Sequence, residues 1–368
     1  MALTLHGTVA DNTAVLSRPN SKPLIINGSM AVAQRGTSTT GITTDGYYTI
    51  DRMQLNLNDN GTWTHTQDTD VPTGQGFANS WKLDCTTADT SVAAGSYHLT
   101  RYLFEGQDLQ LLKKGTSNAE KVTVSFWIKA TLTGTYVAEL QDDNSRQISQ
   151  AYTVSSANTW EKKVLSFAAD TTGALDNDNS SSFAVQLWLG AGSNFSSGTL
   201  STTWTSITHA NRAVGQVNSA SSTSNNIYIT GMQMEVGDFD ANSIPPFQHE
   251  LFGDNLARCH RYFFRKASTN DKSISVGAYY NANVITTSID FPTQMRAAPS
   301  TVIEAGTDYY LIFRDNSNDT FNSLNQTFSA GDTAIALDCN ANVSGTAGHG
   351  GRIKTNNAAS FLAFEAEL

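Results

Sequence analysis

The stretch KVTVSFWIKA (121–130) decides the architecture. Val122, Val124, Phe126 and Ile128 fall on one side of an extended chain, and Thr123, Ser125, Trp127 and Lys129 on the other. This is the period-two pattern of a strand with one face in a core. FAVQLWLG (183–190) repeats it, with Phe183, Val185, Leu187 and Leu189 inward against Ala184, Gln186 and Trp188. Further strands are expected in SYHLTRYLFEG (96–106), GTYVAEL (134–140), TWEKKVLSFAAD (159–170) and NNIYITGMQMEVG (225–237). In the last, Gly231 moves the apolar phase from Ile227 and Ile229 to Met232, Met234 and Val236, as a β-bulge does.

Composition agrees with this pattern. The 368 residues contain 27 Gly and only 15% charged residues, and Ser, Thr and Asn make up about 30% of the chain. Helical proteins need Ala, Leu, Glu, Lys and Arg on their exposed faces, whereas turn-forming residues here punctuate short apolar runs. The fold class expected is all-β: a jelly-roll β-sandwich plus a smaller C-terminal β-domain, with an extended N-terminal arm.

All six tryptophans lie between Trp63 and Trp204, and Pro245-Pro246 interrupts the chain soon after. Proline cannot continue a strand ladder, so a boundary is expected there. The division that follows is an arm over 1–44, a jelly roll over 45–240, a linker over 241–254 and a β-domain over 255–368. The last is expected to contain strands throughout, from NLARCHRYFFRK (255–266) to ASFLAFEAEL (359–368), and no helix. In the arm, Leu24, Ile25 and Ile26 form an apolar stripe too short to fold alone, which needs a neighbour or a partner chain to cover it.

A formal charge of −10, with the 23 Lys and Arg scattered singly or in pairs, argues against a nucleic-acid surface. The opening residues carry no cationic region followed by an apolar run, and no apolar stretch approaches the ~20 residues that span a bilayer, so neither secretion nor membrane insertion is expected. Cys85, Cys259 and Cys339 show no metal or redox spacing and read as free, partly buried thiols.

The succession NGSMAVAQRG (27–36), YYTIDRM (47–53), VTVSFWIKA, NTWEKKVLSF, LWLGAG, IYITGMQMEVG, LARCHRYFF and SIDFPTQMRAAPS (288–300) resembles the modular region of bacteriophage tail fibre and related virion-surface proteins. In that family a carbohydrate-binding-like jelly roll is followed by an RC-x-RYY element and a small β-domain. The resemblance covers about residues 24–368. It implies a noncatalytic, usually trimeric structural protein of the phage particle that often touches the host envelope. The chain departs from the family in having no β-helical shaft, coiled coil or collagen-like repeat, which implies a short appendage. A capsid decoration or head-fibre protein is the alternative of the same origin. A polysaccharide-degrading tailspike enzyme and a cell-encoded carbohydrate-binding module are alternatives of other classes.

Candidate sites follow from the outward strand phases. Trp127 and Trp188 can stack on the apolar faces of sugar rings, with Gln186, Lys129 or Glu139 supplying hydrogen bonds. The competing account is that a loop, the second sheet or another subunit covers these indoles. Leu24, Ile25 and Ile26 are the expected contact with phage tail or capsid proteins. The acidic loops Asp68–Asp70, 141–144 and 176–180 offer oxygen ligands for calcium, against a plain reading as solvated turns; no other cofactor is expected. No GxSxG, HExxH or P-loop occurs. A glycosidase needs two carboxylates across a cleft, for which Glu105 and Glu139 can be named. Cys259-His260 reads as part of a domain junction and not as a thiol nucleophile. The glycine cluster GHGGR (348–352) reads as a tight loop at the rim of the last domain.

Overall fold

The computed structural model describes residues 22–314, 317–326 and 330–368. Residues 1–21 of the expected arm lie outside the described residues.

Strand makes up 44% of the chain and helix 8%, as the alternation and the turn-rich composition require. With strands numbered in chain order, the first sheet runs β1 (Ser38–Ile42), β4 (Thr62–Asp68), β5 (Ser80–Thr87), β13 (Asn226–Val236), β7 (Val122–Ala130) and β10 (Glu161–Phe167). The second runs β12 (Thr205–Ser206), β9 (Arg146–Val154), β8 (Gly134–Asp142), β11 (Ser181–Ala191), β6 (Tyr97–Glu105), β3 (Gln54–Asn58) and β2 (Gly46–Tyr47). The chain crosses between sheets at β1–β2, β3–β4, β5–β6, β6–β7, β7–β8, β9–β10, β10–β11 and β12–β13, the winding of a jelly roll. Val122, Val124, Phe126 and Ile128 of β7 share one core with Phe183, Val185, Leu187 and Leu189 of β11, as their spacing predicts. Trp63 and Trp81 are buried there beside two buried histidines, with Trp63 4.3 Å from His98 and Trp81 5.2 Å from His65 between ring centroids.

The bulge in β13 is present. Pairing with β7 shifts between Thr230 and Gln233, and Gly231 sits at φ +62°. A Cβ there would lie 2.6 Å from Phe77 and 3.1 Å from Trp127, so glycine serves both the left-handed backbone and the close approach.

In the C-terminal region, β14 (Phe263–Ser268), β23 (Phe361–Glu365) and β17 (Ser300–Glu304) form a three-stranded sheet. A seven-stranded sheet runs β19 (Ser317–Phe321), β18 (Tyr310–Arg314), β22 (Gly350–Thr355), β15 (Ser273–Asn281), β16 (Val284–Asp290), β21 (Ala334–Cys339) and β20 (Asn325–Gln326). The terminal strand expected in ASFLAFEAEL is the centre of the smaller sheet, and Gly348 lies in the turn that leads into β22.

Two expectations are corrected. Residues 252–260 are helical, not extended, because Asn255 and Cys259, one turn apart, are the positions this segment buries. The apolar stripe of the arm is not a free docking element. Ile25 is 2% exposed and Ile26 7%, both lie in the sandwich core, and Leu24 packs against it. The Ile26 N–H donates to the Tyr102 hydroxyl at 2.8 Å, so an attachment role for Leu24, Ile25 and Ile26 would require dismantling the core.

The strings NGSMAVAQRG, YYTIDRM and RCHRYFF meet at the joint between the two bodies. Gln34 Nε2 donates to the Phe263 carbonyl at 2.7 Å, and its Oε1 accepts from the Arg265 N–H at 3.1 Å. Arg35 lies 3.7 Å over the Phe263 ring and pairs with Glu365 at 2.8 Å. Arg52, 1% exposed, pairs with Glu367 and lies 3.5 Å over the Tyr262 ring. Glu105 accepts from Arg261 at 2.7 and 2.6 Å and from the Tyr262 hydroxyl at 2.6 Å. Cys259 is buried at this joint, and burial pushes its thiol well above the ordinary value, as expected of a structural cysteine.

Candidate functional site

The site is built on the outer face of the second sheet. Strand register places Gln54, Arg101, Gln186 and Glu139 in one row across β3, β6, β11 and β8. The next row holds Asn56, Leu99, Trp188 and Val137. Alternation dictates these rows, since each residue lies in the outward phase of a strand whose other phase fills the core. Between β11 and β13 the segment 192–217 rises over β8 and β9 and supplies a wall. It carries α1 (Ser193–Ser196) and is tied down by the Ser149 N–H to the Ser201 carbonyl at 2.6 Å and Gln147 Nε2 to Ser201 Oγ at 2.9 Å.

The result is a cleft of about 290 Å³ whose sides include Tyr97, Arg101, Gln186, Phe195, His209 and Arg212, at the small end of the range for pockets that hold a ligand. Tyr97 and Phe195 meet edge to face at 5.5 Å, and Phe195 and His209 at 5.9 Å, which makes an aromatic wall.

Beneath this wall lies a buried polar network. Glu139 is fully buried and accepts from Arg212 Nε at 2.9 Å, Arg212 Nη2 at 3.0 Å and Trp188 Nε1 at 2.8 Å. Arg212 Nη2 also reaches Gln141 at 3.1 Å and Gln186 at 3.2 Å, and Gln186 Nε2 donates to Gln141 at 2.6 Å. Arg212 is held through both Nε and Nη2, which ties β8 and β11 together beneath the cleft.

Arg101 differs. No ion pair or hydrogen bond engages its guanidinium among the described residues, and both its Nε and the neighbouring Gln54 Oε1 are buried without a partner. Burial lowers its pKa from the ordinary arginine value; Tyr47 opposes this most, the charge of Arg212 adds to it, and Glu139 and Asp45 oppose it more weakly.

The four residues named for sugar contact therefore divide. Gln186 and Trp188 belong to this cleft, but Trp188 is 0% exposed and forms the floor, so it offers no stacking surface. Trp127 and Lys129 lie on the first sheet, on the far side of the sandwich. Trp127 is half-buried against Gly231 and Phe77, and the segments 71–79 and 237–249 cover this part of the sheet. Phe77 packs on Phe247 at 5.0 Å, and Gln233 Nε2 donates to the Pro245 carbonyl at 3.0 Å. Lys129 pairs with Asp70 and lies 4.2 Å over the Tyr228 ring. Burial raises the pKa of Asp70, but hydrogen bonds from Lys129 and Trp160 outweigh this and leave it below the usual carboxylate range.

Sequence reasoning missed Tyr97, Arg101, Phe195, His209 and Arg212. Tyr97 and Arg101 share the outward phase of the recognised strand 96–106 and were open to the same argument as Trp188. Phe195, His209 and Arg212 sit on an irregular segment whose path no periodicity foretells.

Two larger hollows lie at the joint. One is lined in part by Leu24, Arg258 and Arg261, and the other by Arg35, Phe263 and Glu365. Their arginines Arg258, Arg261 and Arg35 are each held by a carboxylate of the chain, Glu250, Glu105 and Glu365 respectively. Two of the three acidic loops have protein partners: Asp70 pairs with Lys129, and in 141–144 Asp142 holds Lys114 and Asp143 accepts from Ser182 at 2.7 Å. No cluster of three or more His, Cys, Asp or Glu suited to a metal ion occurs among the described residues.

No protein-family profile and no curated protein matches the sequence. Among solved structures, the chain is similar to the enzymatically active domain of tailspike protein 4 of bacteriophage CBA120 at 15% identity and a TM-score of 0.30, over 58% of this chain and 21% of that one. The chain thus spans about a fifth of that domain's length. It is similar to TmCBM61 in complex with β-1,4-galactotriose at 8% identity and a TM-score of 0.30, over 59% and 99%. It is also similar to the family 11 carbohydrate-binding module of a cellulosomal cellulase of Clostridium thermocellum at 12% identity and a TM-score of 0.26, over 54% and 96%.

Proposed function

We propose that this chain is a noncatalytic phage virion protein, a short trimeric tail fibre or receptor-binding appendage whose jelly roll grips host surface glycan. The observation that carries the glycan assignment is the cleft on the second sheet, where an aromatic wall stands over a polar floor. Sugars need that pairing, apolar contact for ring faces and fixed hydrogen-bonding groups for hydroxyls. The virion assignment rests on the ordered strings quoted above, three of which, NGSMAVAQRG, YYTIDRM and RCHRYFF, meet at the joint between the two bodies. Val276 and Tyr280, each 77% exposed, with Phe313 on the same seven-stranded sheet, supply apolar surface for association with copies or with other virion proteins. Glu105 and Glu139 are fully buried and hydrogen-bonded to protein donors, which supports a binding role over hydrolysis.

The test is binding of the purified chain to host cells and to their extracted surface polysaccharide. Tyr97→Ala and Phe195→Ala should each weaken binding while leaving the melting temperature and oligomeric state in place. Unchanged binding by both variants would move the site elsewhere. Release of reducing ends from the polysaccharide would refute the noncatalytic assignment.

A further inference from the structure

We infer that the cleft selects an acidic saccharide, with Arg101 receiving a sugar carboxylate. The inference rests on the cleft being the glycan site and adds the chemical class of its ligand. Its warrant is the contrast between two neighbouring arginines. Arg212 has its fork consumed by Glu139, Gln141 and Gln186, whereas Arg101 has no anionic or hydrogen-bonding partner among the described residues. Arginine is always charged, and a largely buried guanidinium on which Glu139 and Asp45 act only from beyond ion-pair distance carries a desolvation cost that direct pairing would have removed.

The surroundings favour an incoming anion. Asp and Glu are absent from the lining; of the two carboxylates whose charge reaches Arg101, Glu139 is sealed beneath the cleft by Arg212 and Trp188, and Asp45 accepts from the Leu57 N–H at 2.5 Å. His209 stands at the rim, exposed. Two arginines and no carboxylate thus line a cleft in a chain of net charge −10. Arg101 lines the cleft, and a carboxylate matches its planar fork with two parallel N–H···O bonds.

The experiment presents the full chain with an array of acidic oligosaccharides containing uronic or sialic acids, their carboxyl-reduced counterparts and neutral oligosaccharides. Binding should fall about ten- to a hundredfold when the carboxylate is reduced, and should weaken as salt is raised. Arg101→Gln should abolish the preference for the acid while leaving the melting temperature unchanged or higher, since no protein partner is lost. Arg101→Lys should recover the preference only in part, because a point charge cannot form the bidentate pair. A fall in melting temperature for Arg101→Gln with binding preference intact would make Arg101 structural and overturn the inference. Equal binding of reduced and acidic glycans, still sensitive to Phe195→Ala, would overturn the charge assignment and leave the cleft as a neutral-sugar site. Failure to bind any member of the array would overturn both.

Discussion

The two outer faces of the sandwich begin from the same sequence pattern and end differently. On the first sheet, Thr123, Ser125, Trp127 and Lys129 point outward, and the chain folds back over much of them through 71–79 and 237–249. The Thr123 hydroxyl donates to the Gly237 carbonyl at 2.8 Å, which pins the returning segment. On the second sheet, Gln186 and Trp188 point outward, and the segment 192–217 rises at one side only. The first face is thereby largely closed, and the second becomes a walled cleft with an unpaired arginine. A strand's outward phase identifies which residues leave the core, while the path of distant chain decides whether they meet solvent, a loop or a ligand.

This contrast can be broken most severely at Glu139. Glu139→Ala takes the acceptor from the Trp188 N–H and the counter-charge from Arg212, which keeps only Gln141 and Gln186, and should lower the unfolding free energy by about 3–5 kcal/mol in urea titrations. A loss below about 1 kcal/mol would mean that the floor is not held by this pair. Both faces rest on one core, and His65 inside it supplies the next test. Burial lowers its pKa to about 3. Against an unfolded value near 6.5, its neutral form contributes full stability above that pH. Stability is lost as pH falls from about 6.5 toward 3, at about 1.4 kcal/mol per pH unit. Wild type should therefore lose about 2 kcal/mol more than His65→Leu between pH 6.5 and 4.5, and parallel profiles for the two proteins would refute the assignment.

On the closed face, Gly231→Ala forces a side chain into Phe77 at a left-handed backbone position. It should cost about 1–3 kcal/mol and loosen the cover, read as faster hydrogen exchange over 71–79. Protection that stays at the wild-type level would separate the bulge from the cover. The smallest effect is expected for Asp70→Asn. Its pairing with Lys129 is a partly exposed one, with the Asp70 side chain 44% exposed, and should contribute less than about 1 kcal/mol. A loss comparable to that at Glu139 would erase the distinction between the two faces.

Much of the fold could be read before any coordinates. Period-two alternation in 121–130, 183–190 and 134–140 needs only the pleat of a strand and a core on one side, and all three are central strands. The bulge at Gly231 followed from a phase shift that only an extra residue explains. The helix over 252–260 was missed because its buried positions, Asn255 and Cys259, are a polar residue and a small thiol, which give little apolar periodicity. The arm was misassigned because a stripe of three apolar residues says that it must be covered and not by what.

By itself, then, the sequence determined an all-β chain, the inward and outward faces of its main strands, and Gln186 and Trp188 as outward residues of β11. Only the tertiary structure decided that Trp188 is a floor and not a platform, that Tyr97 and Phe195 form the wall, and that Arg101 stands unpaired while Arg212 does not. The reason is physical. Side-chain phase is a local property set by alternating Cβ directions, whereas exposure and ion pairing depend on segments far apart in the chain, such as 192–217 over 134–142, that meet only when the sandwich closes.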